Sequence, residues 1–314
     1  MKMEIRVLVT GGAGYLGSVI CERLLDAGYH VTALDNLMYG QKSLFHLCAN
    51  PNFDFIFGDV RNEFLMKELL KKADVILPLA AVVGAPACDL NPWLAESVNL
   101  EAIRLLNHLR SPNQLVIYPT TNSGYGIKSS EVFCTEETPL DPISLYGRTK
   151  VQAEKELLNS PNTISFRLAT VFGISARHRL DLLVNHFVYA AVTQGYLVIF
   201  EKDFKRNYIH IRDVADCFVF AFENSSRMVG SPYNAGLDEA NLSKEELALK
   251  IKEHLPNFYI HFAEVGSDPD KRNYIVSNKK LKEKGFQAKR SLDQGILELI
   301  KGYKMIAGGE LKNV

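Results

Sequence analysis

The stretch from Ile5 to Asp35 restricts this chain more than any other. Ile5-Arg6-Val7-Leu8-Val9 is a short apolar run rich in β-branched residues and ended by glycines, which predicts a buried parallel strand. Thr10-Gly11-Gly12-Ala13-Gly14-Tyr15-Leu16-Gly17 follows, then a helical pattern through Val19, Ile20, Leu24 and Leu25 that closes at Ala27-Gly28. His30 to Asp35 reads as a second strand, ending in an acid. In that setting, glycines at 11, 14 and 17 allow a tight turn, close approach of backbone to a pyrophosphate, and close helix–strand contact. Backbone N–H groups and the helix dipole then face the phosphates. The glycine spacing alone arises by chance about 0.1 times in such a chain, so the flanking strand and helix carry the reading.

Asp35 stands where a carboxylate accepts hydrogen bonds from the adenosine ribose hydroxyls and repels a 2′-phosphate. Asn36-Leu37 follow, with no basic residue to receive that phosphate, so NAD is expected rather than NADP. A helix or turn cap is the other use of an acid at this place. Lys+Arg and Asp+Glu are equal at 36 each, which leaves no field to gather nucleic acid or an anionic membrane. The longest apolar run, Val75 to Cys88, is broken by Pro78, Gly84 and Pro86 and is too short to span a bilayer. Five widely spaced cysteines form no C-x-x-C pair, and the eight histidines show no metal-ligand spacing. Free thiols, a cytoplasmic location and no metal site are the expectations.

The strand–helix alternation continues. Strands are expected at Phe53 to Phe57, Asp74 to Leu77, Gln114 to Tyr118 and Thr163 to Leu168, with helices at Asn62 to Lys72 and Asn91 to Arg110. Leu79-Ala80-Ala81-Val82-Val83-Gly84 reads as a loop of small residues after a strand's carboxyl end, suited to lie beside a cofactor. Asn99, inside the long helix, reads as a surface residue. Ser144 can cap a helix that carries Tyr146 and Lys150 one turn apart on the same face. This pattern fits an α/β fold: a Rossmann-type doubly wound parallel sheet with a smaller C-terminal α/β substrate domain. The expected division is 1–173 plus 205–229 for the dinucleotide and 174–204 plus 230–314 for the substrate. In the second half, Ser243-x-x-Glu246 is a capping box that opens a helix to His254.

A secondary alcohol can be oxidised by NAD only if its proton leaves as its hydride does. Tyr146 can take that proton if its pKa falls from about 10, and the ammonium of Lys150 one turn away acts in that direction. Thr121, in the Thr-rich turn after the preceding strand, can share the hydrogen bond. About one Tyr-x-x-x-Lys is expected by chance in a chain of this composition, and a structural i,i+4 pair is the plain alternative. Position after the glycine scaffold and the Thr121 turn is what favours chemistry.

At these residues the chain resembles the extended short-chain dehydrogenase/reductase family that modifies nucleotide sugars. The resemblance implies that Thr121, Tyr146 and Lys150 are catalytic and that Lys150 also holds the nicotinamide ribose. It implies cofactor contacts from Gly11, Gly14, Tyr15, Leu16 and Gly17, from Asp35-Asn36, Asp59-Val60 and Leu79-Ala80-Ala81, and from Asn99. Arg167 to Gly173 looks like the stretch behind the nicotinamide. Substrate contacts implied are Val83, Thr121, Asn122, Ser123, Thr170, Arg177, Arg179, Asn185, Arg206 and Arg272, with the segments Arg206 to His210 and Asp268 to Arg272 at the nucleotide diphosphate. A homodimer through the Asn91–Arg110 and Tyr146–Leu158 helices is implied too, although the same faces can pack internally.

Departures from the family pattern narrow the reaction. Its 4,6-dehydratases follow the catalytic Thr with Asp-Glu, and its uronate decarboxylases carry a Glu in this turn. Here Asn122-Ser123-Gly124 follow Thr121, and none can shuttle the required proton near pH 7. Redox at C4 of a nucleotide sugar remains, either a 4-dehydrogenase or a 4-epimerase. The runs 80–86, 119–126 and 177–185 look closest to the branch that oxidises GDP-manno-heptose for bacterial capsule polysaccharides. A reading of another class is a non-catalytic NAD-binding regulatory protein, against which the complete Thr, Tyr and Lys set stands.

Overall fold

The computed structural model describes residues 5–129, 131–264 and 272–306. Seven parallel strands form one sheet in the order Ser231–Ala235, Thr163–Leu168, Leu115–Thr121, Val75–Pro78, Arg6–Thr10, His30–Asp35, Phe53–Phe57. Six of them, from Arg6–Thr10 to Thr163–Leu168, answer the expected strands; the Rossmann-type doubly wound sheet is present. Alternate side chains leave opposite faces of each strand. Val7, Val9, Val31, Ala33, Ile117 and Phe166 pack under the helices Tyr15–Asp26 and Ile211–Glu223. Leu8, Leu34, Ile76, Val116 and Tyr118 pack under Glu63–Leu70, Ala102–Leu109 and Leu145–Leu158. Where both faces are covered the strands are largely apolar, and the exposed edge strand Phe53–Phe57 declares itself by its aromatic residues instead.

The seventh strand, Ser231-Pro232-Tyr233-Asn234-Ala235, has no such signature. It carries a proline, tolerated because the strand sits at the sheet edge, and an asparagine that is fully buried. The division of the chain drawn at 229/230 therefore falls just ahead of a strand of the large sheet. Lys205–His210, assigned by sequence to the dinucleotide domain, lies instead in a separate three-stranded sheet between Thr170–Phe172 and Asn241–Ser243. A second core built on the helices Leu183–Thr193, Lys244–His254 and Leu292–Ile306 packs beside it. Ser243 and Glu246 form the expected capping box at the start of the second of these helices.

The expected long helix from Asn91 to Arg110 is interrupted. Pro92–Glu96 runs into a π turn at Ser97–Glu101 and then into Ala102–Leu109. A short helix, Ala85–Leu90, follows directly on the loop read at 79–84; Pro86 stands in its first turn, where no N–H is required.

The first strand is flanked by the second and the fourth, so the strand order reverses beside the glycine loop. Such a switch point opens a crevice at the strand carboxyl ends. Gly11 has φ +69°, and a Cβ there would meet the Ala80 backbone N at 2.6 Å. A Cβ on Gly17 would strike the Gly11 carbonyl oxygen and Gly12. Helix and loop are thus in backbone contact. Gly17→Ala should cost several degrees in Tm by differential scanning calorimetry, because no flexible side chain can yield; an unchanged Tm would contradict this packing.

Candidate active site

Gly14 is the N-cap of the Tyr15–Asp26 helix, and no side chain caps it; the first turn carries no acid. A Cβ on Gly14 would meet only the Gly11 oxygen, at 3.0 Å. Its outward side is therefore open backbone at a helix N-terminus, which fits a pyrophosphate. Asp35 closes the second strand as expected and is largely buried. Its Oδ2 accepts from Ala13 N at 3.0 Å and its Oδ1 from Leu37 N at 2.8 Å, so it shapes the glycine loop as well as facing the groove. Burial raises its pKa despite these bonds. Asn36 donates to Asp59, and Arg61 grips Asp59 with two nitrogens, holding that carboxyl down at about 2. Asp35, Asn36 and Asp59 thus stand together past the end of the second strand, and Arg61 beside them is spent on Asp59.

Tyr15 does something else with its side chain. Its hydroxyl donates to Gly173 O at 2.8 Å and lies 3.3 Å from Asn185 Nδ2. Asn185, expected to line the sugar cleft, is fully buried and spends its amide on Gly173 N, Arg179 O and Tyr15. Both residues join the loop to the second half of the chain. Asn99, read from the residues as surface, is 1% exposed. It accepts from Val82 N at 2.8 Å and donates to Val82 O at 2.9 Å, fixing the small-residue loop after the fourth strand. Asn99→Ala would strand the Val82 N–H and leave Val82 O only the Cys88 thiol, at a cost of about 1–3 kcal/mol, measurable by urea denaturation.

Thr121 ends the Leu115–Thr121 strand and caps the following turn, accepting from Ser123 N at 3.1 Å. Its hydroxyl donates to Ser123 Oγ at 2.9 Å, and Arg272 donates to the same oxygen. Of the segment expected at the diphosphate, 268–271 lie outside the described residues. Ser144 caps the Leu145–Leu158 helix by accepting from Gly147 N at 3.1 Å. A Cβ on Gly147 would lie 3.5 Å from Ser123 O, so the helix start rests against the Thr121 turn and brings Tyr146 to it. Asn122 is 1% exposed, and neither of its amide atoms has a partner among the described residues. An amide with unspent capacity beside Thr121 suits a polar ligand.

Burial pushes the Tyr146 phenol up to about 12, against the pull of Arg179 and then Arg272. Both arginines come from the second half of the chain. Lys150 is 4% exposed, its Nζ lies 4.0 Å from the Tyr118 ring centroid, and burial lowers it to about 7. Arg179 pairs with Asp181 while facing Tyr146 and Tyr15. Arg177 stacks over Tyr39 at 5.0 Å, and buried Arg206 over Tyr274 at 5.6 Å. Val83 is exposed at the rim, with Thr170 half-buried at the start of the second sheet.

Residues 7–236 match the NAD dependent epimerase/dehydratase family. The chain belongs to that family. It is an NAD-dependent enzyme of the nucleotide-sugar epimerase and dehydratase type. The uncharacterised UDP-glucose epimerase YtcB of Bacillus subtilis is 31% identical over 267 residues, 79% of each chain. The UDP-glucose 4-epimerase of Lactobacillus helveticus is 28% identical over 79% of this chain and 82% of its own. The structure of UDP-glucuronic acid 4-epimerase from Bacillus cereus superposes with a TM-score of 0.84 at 24% identity, covering 96% of this chain and all of that one. No described helix is long and apolar enough to cross a membrane. Among the described residues, no group of three or more His, Cys, Asp or Glu side chains could hold a metal ion.

The residues that sequence reasoning missed lie behind Lys150. Glu154, four residues on along the same helix, is 1% exposed and paired with Arg167 at 3.2 Å. Ser165 donates to it at 2.7 Å. The Tyr118 hydroxyl is fully buried with no partner among the described residues. An acid at the same helical offset from Lys150 as Lys150 has from Tyr146 is the signal that was available.

Proposed function

We propose that this enzyme oxidises the C4 hydroxyl of a nucleotide-activated sugar to the 4-keto sugar, with GDP-manno-heptose as the favoured substrate. The observation that carries the reading is the turn after Thr121. Asn122 and Ser123 hold no carboxylate, and Ser123 is engaged by Arg272, so no acid–base pair stands ready to expel water or carbon dioxide. NAD, when bound, supplies the hydride acceptor. Tyr146 takes the C4 hydroxyl proton as the C4 hydrogen leaves with its electron pair. Thr121 holds the same oxygen by a hydrogen bond. Lys150 holds the nicotinamide ribose and contributes its charge. Arg177, Arg179, Arg206 and Arg272 offer cations for the diphosphate. The runs 80–86, 119–126 and 177–185 support heptose over other sugars.

A 4-epimerase is the second reading, favoured by the likeness to the Lactobacillus helveticus UDP-glucose 4-epimerase. It uses the same residues and returns the hydride to the opposite face of the ketone. Product analysis with GDP-manno-heptose separates the two: a 4-keto sugar with stoichiometric NADH supports dehydrogenation, and a C4 epimer without net NADH establishes the other. No reaction and no hydrogen exchange with any nucleotide sugar would refute both. Tyr146→Phe should lower kcat at least about a hundredfold while NAD binding persists. Arg179→Met should move the acid limb of kcat/KM to higher pH, since a cation that pulls the phenol down is lost. The assembly we propose is a homodimer, which a solution mass measurement tests.

A further inference from the structure

Lys150 is a poor place to keep a charge. It is almost wholly buried, and its ammonium rests on an aromatic face, Tyr118, whose own hydroxyl points into the core unpaired. Burial alone drives such a group toward its neutral form. A neutral lysine can neither polarise a phenol nor donate all its hydrogen bonds, so something must oppose the burial. On its own helix stand Tyr146 one turn before and Glu154 one turn after; Tyr118 faces it from the Leu115–Thr121 strand. Arg167, on the Thr163–Leu168 strand, is held by Glu154. Cys88, from the Ala85–Leu90 helix, and Arg179 and Arg272, from the second half, act on Tyr146. Arg104 and Glu156 pair on the outer face of the same helix. Of these, Glu154 supplies the charge that opposes burial at Lys150.

We propose that Glu154 is a positioning residue that keeps Lys150 protonated over the Tyr118 ring, with Arg167 and Ser165 fixing the carboxylate in place. Ser165 donates to Glu154 Oε1 at 2.7 Å, and Arg167 Nε reaches both carboxylate oxygens, at 3.3 and 3.2 Å. Arg167 is itself anchored to the Glu136 carbonyl at 2.9 Å and the Tyr125 hydroxyl at 3.3 Å. Tyr125 donates in turn to Asn234 at 2.7 Å, on the edge strand. Glu154 touches neither substrate nor cofactor and acts through Lys150. The inference rests on the reading of Tyr146 and Lys150 as the proton-handling pair. The active arrangement, phenolate beside ammonium, is one distribution of a single proton over that pair, so both limbs of a pH profile belong to the two residues together. Removing the Glu154 charge lowers both limbs and also reduces the share of phenolate–ammonium at the plateau.

The test is the titration of the Lys150 side chain by NMR on full-length protein carrying isotope-labelled lysine, its resonance assigned with Lys150→Met. Glu154→Gln should shift that titration down by roughly 1 pH unit or more, whereas Arg167→Gln, which removes the opposing cation, should shift it up. Glu154→Asp keeps the carboxylate and should restore a titration close to that of the parent. In turnover, Glu154→Gln should displace the whole kcat/KM profile to lower pH and reduce its plateau about tenfold. A merely structural role would lower the plateau and leave the profile where it was. Titration unmoved in either charge-removing variant that folds, or moved in the same direction by both, overturns the proposal. The NMR arm needs no substrate, so an active Tyr146→Phe enzyme would sink the functional reading alone, and an unmoved Lys150 this inference alone.

Discussion

The two halves of this molecule meet on Tyr15. Its side chain leaves the glycine loop, its hydroxyl bonds Gly173 and approaches Asn185, and its carbonyl accepts from Ser175, while Ser175 and Ser18 pair at 3.0 Å. Because the helix it opens is pressed backbone to backbone on the glycine loop through Gly17, the position of the second half is referred to the end of the first strand. Arg177, Arg179 and Asn185 follow within a few residues of Ser175. The segment that carries Arg177, Arg179 and Asn185 is therefore placed by a tyrosine inside the glycine loop.

That coupling explains why burial wins over charge at Tyr146. A phenol enclosed by the Val82–Cys88 segment on one side and the Thr121 turn on the other pays a desolvation cost that no single neighbour cancels. Cations are delivered from the far half, Arg179 on the segment anchored to Tyr15 and Arg272 on Ser123. Lys150, buried behind, is a second charge under strain of the same kind. The site is a set of opposed electrostatic terms, each large, and the balance depends on residues placed by tertiary structure.

Much of this was legible in the sequence, for reasons that can be stated. The covered strands are largely apolar runs and the edge strand Phe53–Phe57 is rich in aromatics, so six of the seven declared themselves. The Ser144 cap, the Ser243–Glu246 box and the glycine loop are local chemistry and read directly. The seventh strand was hidden because an edge accepts Pro232 and because Asn234 is buried for its bonds to Tyr125, Cys134 and Ser277, not for its hydrophobicity. Asn99 was misread for the same reason: burial of an amide depends on a partner, Val82, that no periodicity reveals. Asn185 and Tyr15, expected to face ligands, turn their side chains to protein, and only three dimensions show which way a polar group turns.

The lateness of the edge strand has a consequence for how the chain comes into being. Asn234 ties Tyr125 and the Glu136 segment to residues near Ser277, and Ile127 bridges to Asn273. Until residues 231–235 have left the ribosome, the outer edge of Thr163–Leu168 is open, and until the segment near residue 277 follows, Asn234 lacks its bond to Ser277 and Ile127 its bridge to Asn273. A nascent chain therefore carries a nearly complete glycine loop but an unfinished catalytic end, with an open strand edge exposed to other nascent chains. A chain stalled before residue 272 lacks the arginine whose guanidinium reaches Ser123 beside Thr121.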